Sequence, residues 1–231
     1  MKINKAMILA AGFGKRLLPL TKQTPKPLLE LKSKKLLQYS IEFLLSNKIN
    51  DIIINTHYLS EQIEDFIHHN FPQIVISYEE NILDTGGGIM NAISFFQGEN
   101  FLVLNSDTVW NLNYQKELSR LIEIFKNGKS KAALLLAKKE NSFDPNFMGD
   151  FDLDNKNFIT KKNKQYIFTG CQLLNPNIFE NYKKKIFSMN EIWNDLIEAH
   201  SLNGFLSEQK FLHATDLNIF NKLNNSKIID L

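Results

Sequence analysis

The chain has 231 residues, a length that suits one α/β domain with a substantial core and at most a small appendage. Apolar residues make up 43% and charged residues 23%, which is ordinary for a soluble globular protein. A net charge of +2 without a long basic block gives no argument for nucleic-acid binding, and we expect none. The single cysteine, Cys171, excludes a disulfide framework and a thiolate metal cluster.

Neither a targeting segment nor a membrane segment is expected. The first apolar run is too short for a cleavable signal peptide and leads directly into a glycine loop. No apolar run reaches the roughly 20 residues that span a membrane. We therefore expect a cytoplasmic protein without a membrane partner. We interpret the lysine clusters at residues 161–164 and 183–185 as solvated surfaces.

Apolar patterns predict that strands and helices alternate through the first part of the chain. The predicted strands span residues 6–11, 51–55, 74–78, 101–104 and 132–137. The predicted helices span residues 36–47, 59–67, 89–96 and 114–125. This alternation predicts an α/β fold with a doubly wound, mostly parallel sheet and right-handed crossovers. Ligands of such sheets bind at the carboxyl ends of the strands.

The later part of the chain has a different pattern. Residues 149–153 and 157–160 resemble a polar hairpin, and residues 166–174 a longer strand. A helix at 189–201, a short strand at 211–213 and a closing helix at 217–223 follow. No linker or repeat divides the sequence, so we expect one domain over residues 1–231 with a small C-terminal part beside the cleft.

The first predicted strand ends in a glycine loop that is followed by cations. Gly12 and Gly14 let the backbone approach a ligand closely, and Arg16 follows at once. Lys26 stands between two prolines, whose fixed φ angles position it in advance. Together these residues predict a triphosphate site; the alternative is an ordinary turn between a strand and a helix.

Two well-known glycine loops are excluded. A dinucleotide-binding loop would need a third glycine where Leu17 stands, and a Walker loop would need Ser or Thr where Arg16 stands. If the glycine loop binds phosphate, it belongs to neither of these two classes.

A second glycine cluster, DTGGGI, occupies residues 84–89. Three glycines at a helix start would leave N–H groups uncovered and let a flat ring lie against the backbone. The alternative is a flexible loop. Two glutamates, Glu79 and Glu80, precede the cluster.

Polar residues also follow the predicted strand at 101–104. Asp107 emerges from a buried strand, where a carboxylate suits Mg²⁺, which takes one or two carboxylates and fills its sphere with phosphate and water. By pattern alone, a helix cap is an equally good interpretation. Farther along, Asp150 and Thr169 offer hydrogen bonds to hydroxyl groups, and Gly170 would let a sugar lie against the backbone. A turn aspartate and a β-bulge glycine are the alternatives.

The sequence of residues 9–28, taken as a whole, resembles a known family signature. LAAGFGKRLLPLT at residues 9–21, followed by TPKPL at 24–28, closely resembles the signature of the sugar-1-phosphate nucleotidyltransferases. The resemblance covers about residues 6–220. It implies a Rossmann-like fold of the nucleotide-diphospho-sugar transferase type, with nucleotide bound by about residues 1–140 and sugar phosphate by about 141–231. It also implies that a sugar-1-phosphate oxygen attacks the α-phosphorus of a nucleoside triphosphate and that pyrophosphate leaves.

The resemblance assigns roles to matching residues. Arg16 would contact the β- and γ-phosphates, Lys26 the α-phosphate, and Asp107 a Mg²⁺ ion. The implied nucleotide-binding residues are Leu9, Ala10, Ala11, Gly12, Gly14, Arg16, Lys26, Glu80, Thr85, Gly86 and Gly87. In the family the loop equivalent to residues 84–89 holds the base, so Glu80 would reach the edge of the base, and its neighbour Glu79 is the alternative. The implied residues for the acceptor sugar are Asn105, Gly149, Asp150, Thr169 and Gly170.

The chain departs from the family near its C-terminal end. His213 stands where the family commonly has an aspartate as the second metal ligand, and Thr215-Asp216 replace Gly-Thr. Imidazole suits softer ions than Mg²⁺. Three arrangements stay open: His213 binds the metal weakly, Asp216 replaces it, or Asp107 acts with water and phosphates alone. The family's frequent Phe-x-Glu-Lys-Pro acceptor motif is not evident either.

Within this family the short length and the GDF and FTG motifs look most like bacterial N-acetylmuramate-1-phosphate uridylyltransferases, with UTP as donor in peptidoglycan recycling. Enzymes similar to mannose-1-phosphate guanylyltransferase come next. A non-catalytic subunit that binds nucleotide or sugar phosphate is the alternative of another class, because the altered C-terminal motif would suit a decayed site.

Overall fold

The computed structural model describes residues 2–128 and 130–229. Its strands are β1 (Lys5–Leu9), β2 (Glu30–Leu31), β3 (Lys34–Lys35), β4 (Asp51–Thr56), β5 (Val75–Tyr78), β6 (Phe101–Asn105), β7 (Ala132–Lys138), β8 (Asp152–Leu153), β9 (Ile159–Thr160), β10 (Tyr166–Leu174) and β11 (Leu202–Ser207). Its α-helices are α1 (Leu36–Ser46), α2 (Ser60–Asn70), α3 (Asp84–Asn91), α4 (Tyr114–Asn127), α5 (Met189–Glu198) and α6 (Leu217–Asn225). Short 3-10 helices span Lys15–Leu17, Leu20–Lys22, Lys26–Leu28, Ile93–Phe96, Lys139–Asn141 and Pro176–Phe179.

Seven strands form one sheet in the order β11-β7-β10-β6-β1-β4-β5. All neighbouring pairs are parallel except those of β10, which runs antiparallel to both β6 and β7. The apolar runs at the centre of the sheet are buried on both faces, as parallel strands covered by helices require. The predicted mostly parallel, doubly wound, Rossmann-like sheet is confirmed.

Helices cover the two faces of the sheet. One face packs on α1, α2 and α4 through residues such as Ile41, Ile63 and Leu121. The other face packs on α3 and α5 through Ile89 and Ile192. Because helices pack on both faces, the strands are fixed in place, and the loops that follow their carboxyl ends start from fixed positions. None of the helices in the described ranges is long and apolar enough to cross a membrane.

The structure corrects several predicted boundaries. The strand predicted at 211–213 is instead a segment that makes isolated bridges, with His213 opposite Thr108. The edge strand β11 was missed, because its Asn203-Gly204 pair interrupts the apolar pattern. Helix α3 begins at Asp84 and not at residue 89, and residues 93–96 form a 3-10 helix.

Candidate active site

The site lies at the carboxyl ends of the three central parallel strands. The register pairs Leu9 of β1 with Asn55 of β4 on one side and with Asn105 of β6 on the other. The loops that follow these strands therefore start from one edge of the sheet. Two cavities open there.

The first cavity has a volume of about 400 Å³. The predicted residues that line it are Leu9, Ala10, Ala11, Gly12, Gly14, Arg16, Lys26, Thr85, Asn105 and Asp107. Gly14 has a φ of +64°, and a Cβ atom there would come within 2.9 Å of Lys26 Cβ and of Thr21 Cγ2. A glycine is needed at this position because the loop packs against the segment that carries Lys26.

The second cavity has a volume of about 610 Å³ and lies on the side of the C-terminal part. Asp150 and Thr169 line it, and aromatic side chains from Phe147, Phe168 and Trp193 form part of its wall. Three residues line both cavities: Arg16, Asn105 and Asp107. A group held between these three side chains would be reachable from either cavity.

Asp107 is at the centre of a compact charged cluster. Its Oδ2 lies 2.5 Å from Lys26 Nζ, and its Oδ1 lies 3.0 Å from His213 Nε2. Burial alone would raise the pKa of the Asp107 carboxyl, but His213 and Lys26 outweigh burial and hold that pKa well below its usual range. Asp107 is therefore ionised at neutral pH.

The C-terminal segment clamps this aspartate in place. Ala214 N donates to the Asp107 carbonyl oxygen at 3.0 Å, and Val109 N donates to the Leu212 carbonyl oxygen at 2.8 Å. The His213 ring packs between Phe147 and Phe211, with both ring centroids at 5.6 Å. Asp216, the alternative ligand, is used elsewhere: its Oδ1 accepts the Ile219 N–H at 2.9 Å and caps α6.

The capacity of the cluster for a metal depends on one oxygen. Asp107 Oδ1 is buried and accepts no regular hydrogen bond among the described residues, and His213 Nε2 lies 3.0 Å from it. Such an orphaned carboxylate oxygen fits a cation. No three His, Cys, Asp or Glu side chains in the described ranges form a metal-binding group, and Asp107 is the carboxylate that lines both cavities.

A buried relay joins the glycine loop to the start of α3. Asn55 Oδ1 accepts the Ala10 N–H at 2.8 Å, and Asn55 Nδ2 donates to Glu79 Oε1 at 2.7 Å. Glu79 Oε2 then accepts the Leu83 N–H at 3.0 Å. The structure thus places Glu79 in the lining of the first cavity, whereas Glu80 is exposed and lies outside that lining.

The glycines at the start of α3 do not face the cavity. The N–H groups of Gly86 and Gly87 both donate to the Phe187 carbonyl oxygen at 3.0 Å, so the expectation that they are uncovered is wrong. A Cβ atom on Gly86 would come within 2.4 Å of the Phe187 ring, and one on Gly87 within 2.2 Å of the Lys185 carbonyl oxygen. These glycines make room for a later segment, and only Asp84 and Thr85 of the cluster line the cavity.

The predicted acceptor residues divide into two groups. Asp150 lines the second cavity, and its Oδ2 accepts the Phe168 N–H at 2.9 Å. Burial raises the pKa of its carboxyl, against the lowering effect of that hydrogen bond and of two nearby lysines. Thr169 also lines the cavity, but its hydroxyl already donates to the Leu135 carbonyl oxygen at 2.9 Å.

Gly149 and Gly170 lie outside the cavity lining and serve packing. Gly170 has a φ of +85° at the irregular pairing of β10 with β7, and a Cβ atom there would come within 2.8 Å of Asn105 Cβ. Gly149 lies against the Lys164 carbonyl oxygen. Gly170 therefore positions a residue that both cavities share and does not itself offer an open surface to a sugar.

Sequence reasoning also missed cations of the second cavity. Both Lys161 and Lys164 line it; Lys161 is half-buried, so its interpretation as solvated surface is corrected, whereas Lys164 is exposed as expected. Their turn wraps around the buried Asp152, whose carboxylate accepts the N–H groups of Asn163, Lys164 and Gln165 at 2.6, 2.9 and 3.1 Å. The signal available in the sequence was a lysine-rich turn directly before the strand that carries Thr169.

Comparison with known proteins agrees with this geometry. Residues 5–144 match the family model described as nucleotidyl transferase. The N-acetylmuramate alpha-1-phosphate uridylyltransferase of Caulobacter vibrioides is 26% identical over 221 residues, which cover 91% of each chain. The D-glycero-alpha-D-manno-heptose 1-phosphate guanylyltransferase of Campylobacter jejuni is 31% identical over 208 residues, 88% of this chain and 85% of the relative. The crystal structure of HddC from Yersinia pseudotuberculosis complexed with GMP-PN shares the fold, with a TM-score of 0.75 at 23% identity over 96% of this chain and 98% of HddC.

Proposed function

Because the chain belongs to the nucleotidyl transferase family, we propose that it joins a nucleoside triphosphate to a sugar 1-phosphate and releases pyrophosphate. One observation carries the proposal: Arg16, Asn105 and Asp107 line both cavities. A triphosphate in the first cavity and a sugar phosphate in the second would meet at these residues. The reaction requires such a meeting point, because the two phosphates must come into contact for transfer to occur.

The chemistry needs no general base. A sugar-phosphate oxygen forms a bond to the α-phosphorus, and the bond from that phosphorus to the bridging oxygen of the β-phosphate breaks. The electron pair leaves with pyrophosphate. Because the acceptor oxygen is already anionic, the protein contributes position and positive charge. Lys26 would stabilise charge on the α-phosphate, and the exposed Arg16, which forms no salt bridge within the described residues, would contact the β- and γ-phosphates.

A divalent cation fits this site. Asp107 would hold Mg²⁺ through the oxygen that lacks a hydrogen-bond donor, with phosphate oxygens and water completing its shell. When bound, the ion would neutralise charge on the phosphates. His213 is the adjacent group, and we propose it as a weaker ligand, since its Nε2 already lies 3.0 Å from Asp107 Oδ1.

We favour uridylyl transfer from UTP to N-acetylmuramate 1-phosphate. The resemblance in the short motifs and the relative from Caulobacter vibrioides, which matches over 91% of both chains, support this choice. Guanylyl transfer to a mannose- or heptose-type phosphate is the second candidate, supported by the relative from Campylobacter jejuni at 31% identity. We further propose that residues 1–231 act as one domain, with nucleotide bound mainly by residues 1–140.

The test is pyrophosphate release with Mg²⁺ across the common nucleoside triphosphates and a panel of sugar 1-phosphates. The panel includes N-acetylmuramate 1-phosphate, mannose 1-phosphate and a heptose 1-phosphate. Release that requires one triphosphate and one sugar phosphate together supports the proposal and identifies both substrates. Protein that binds nucleotide but releases no pyrophosphate with any pair, in Mg²⁺ or Mn²⁺, would instead be a binding subunit.

A further inference from the structure

Two lysines line the second cavity together with the carboxylate of Asp150 and form no salt bridge with it. Lys161 and Lys164 line this cavity and not the first. Neither forms a salt bridge with any carboxylate in residues 2–128 and 130–229. Lys161 Nζ donates to Asn194 Oδ1 at 2.6 Å and lies 5.3 Å from the centroid of the Phe151 ring. Its side chain is thus directed along the wall of the cavity.

The backbone that carries these lysines is fixed. The Asp152 carboxylate holds three successive N–H groups of the turn, including that of Lys164. Gly149 packs so closely that a Cβ atom there would come within 1.8 Å of the Lys164 carbonyl oxygen. Lys164 also has a left-handed φ of +53°, which is uncommon for a residue with a side chain. A turn held in this way presents its cations in a defined place.

The two ammonium groups also interact with each other. Burial lowers the pKa of Lys161, and the charge of Lys164 lowers it further, while Asp150 opposes both effects. Like charges that repel each other beside an aromatic wall are stabilised by an anion placed between them. Under the proposed function the reacting phosphate lies at Arg16, Asn105 and Asp107, where the cavities meet, and the two lysines line only the second cavity. An acceptor bound in this way would bring a part that does not react to the two lysines.

We propose that Lys161 and Lys164 bind a carboxylate that the acceptor sugar carries in addition to its 1-phosphate. This inference rests on the proposed function, because it takes the second cavity as the acceptor site. N-acetylmuramate has such a carboxylate on its lactyl ether, whereas mannose and heptose phosphates have none. The lysine pair would thus select acidic acceptor sugars over neutral ones.

The experiment compares two acceptors that differ in one charge: N-acetylmuramate 1-phosphate and its lactyl methyl ester. With the donor found in the triphosphate panel, the double variant Lys161→Gln/Lys164→Gln is expected to lose about tenfold or more in kcat/KM with the acid, because a charge-assisted contact is removed. With the ester, the loss should be less than about twofold. Equal losses with both acceptors, or no loss with either, would overturn the proposal.

Two further measurements keep the result interpretable. Lys162→Gln is the matched control, because this lysine is exposed and lines neither cavity, and it should behave as wild type. Calorimetric titration of both acceptors into wild-type protein separates binding from turnover. If no pair of substrates reacts, the proposed transfer fails, but tighter binding of the acid than of the ester would still support the carboxylate site. Equal binding of the two, or binding of neither, would exclude it.

Discussion

Lys26 Nζ lies 2.5 Å from Asp107 Oδ2, so a lysine between two prolines is paired with the carboxylate that follows strand β6. Both side chains are largely buried. Removing either one leaves the other as a poorly solvated charge without this partner, which is costly. The ion pair therefore makes the phosphate-binding lysine and the metal-binding aspartate of the proposed mechanism depend on each other.

The first prediction concerns this pair. Lys26→Ala should lower kcat at saturating substrates by about a hundredfold or more, because it removes a charge aimed at the transition state. Steady-state pyrophosphate release measures the effect. Lys22→Ala is the control, since Lys22 is exposed and lines neither cavity. Near-full turnover of Lys26→Ala would show that the mechanism is wrong.

The second prediction decides between two neighbouring glutamates. Glu79→Gln puts an amide N–H₂ group where the relay needs an acceptor for Asn55 or for the Leu83 N–H. We expect a loss of about 1–3 kcal/mol in the free energy of unfolding and a raised KM for the triphosphate. Glu80→Gln should change neither quantity. If Glu80→Gln raises that KM and Glu79→Gln does not, the relay has no part in nucleotide binding.

The third prediction concerns the departure from the family motif. His213→Asp would place a second carboxylate beside Asp107 Oδ1, and Mg²⁺ is bound well by two carboxylates. The Mg²⁺ concentration for half-maximal rate should fall several-fold, and added Mg²⁺ should raise the melting temperature more than in wild type. His213→Asn controls for loss of the ring. An unchanged metal dependence in His213→Asp would remove residue 213 from the metal site.

The fourth prediction uses the carboxylate that organises the lysine turn. Burial alone would raise the pKa of Asp152, but the backbone N–H groups it accepts lower that pKa below its usual value. The stabilisation is therefore complete above the unfolded pKa of about 3.9 and is lost as the pH falls through the lower folded value. Asp152→Asn should cost about 1–2 kcal/mol at pH 7, with the difference from wild type shrinking below about pH 4. Urea unfolding at both pH values measures it. A difference that stays constant with pH would contradict the assignment.

The part of the site at the ends of β1, β4 and β6 was predictable, because the pairing of these parallel strands determines it. Apolar runs located β1, β4 and β6, and parallel pairing then brought the glycine loop, Asn55 and Asn105 to one edge. Lys26 and Asp107 could be chosen because two prolines and a strand end restrict them locally. Family membership, expected from the glycine-loop phrase, is confirmed by the match over residues 5–144.

What the sequence could not supply depends on contacts between distant segments. Nothing local distinguishes Glu79 from Glu80, since the choice depends on which side chain points inward after β5. The glycines at 86 and 87 indicate that something approaches closely, but not that it is the backbone of residues 185–187. Likewise, a lysine-rich turn appears solvated until its packing against Asp152 and α5 is known.

The clamp that residues 212–214 form on Asp107 determines when, during synthesis, the protein can become catalytically active. A nascent chain emerges from the ribosome with its amino end first, so every residue that lines the first cavity is available once residue 107 has appeared. Leu212, His213 and Ala214, which hold the aspartate and its neighbours, are synthesised only after all residues that line the first cavity. A fragment that stops at residue 208 should therefore release no pyrophosphate. The assay measures pyrophosphate release by this fragment before and after a peptide of residues 209–231 is added. Catalytic competence would therefore follow the synthesis of residues 212–214 and not that of the first cavity.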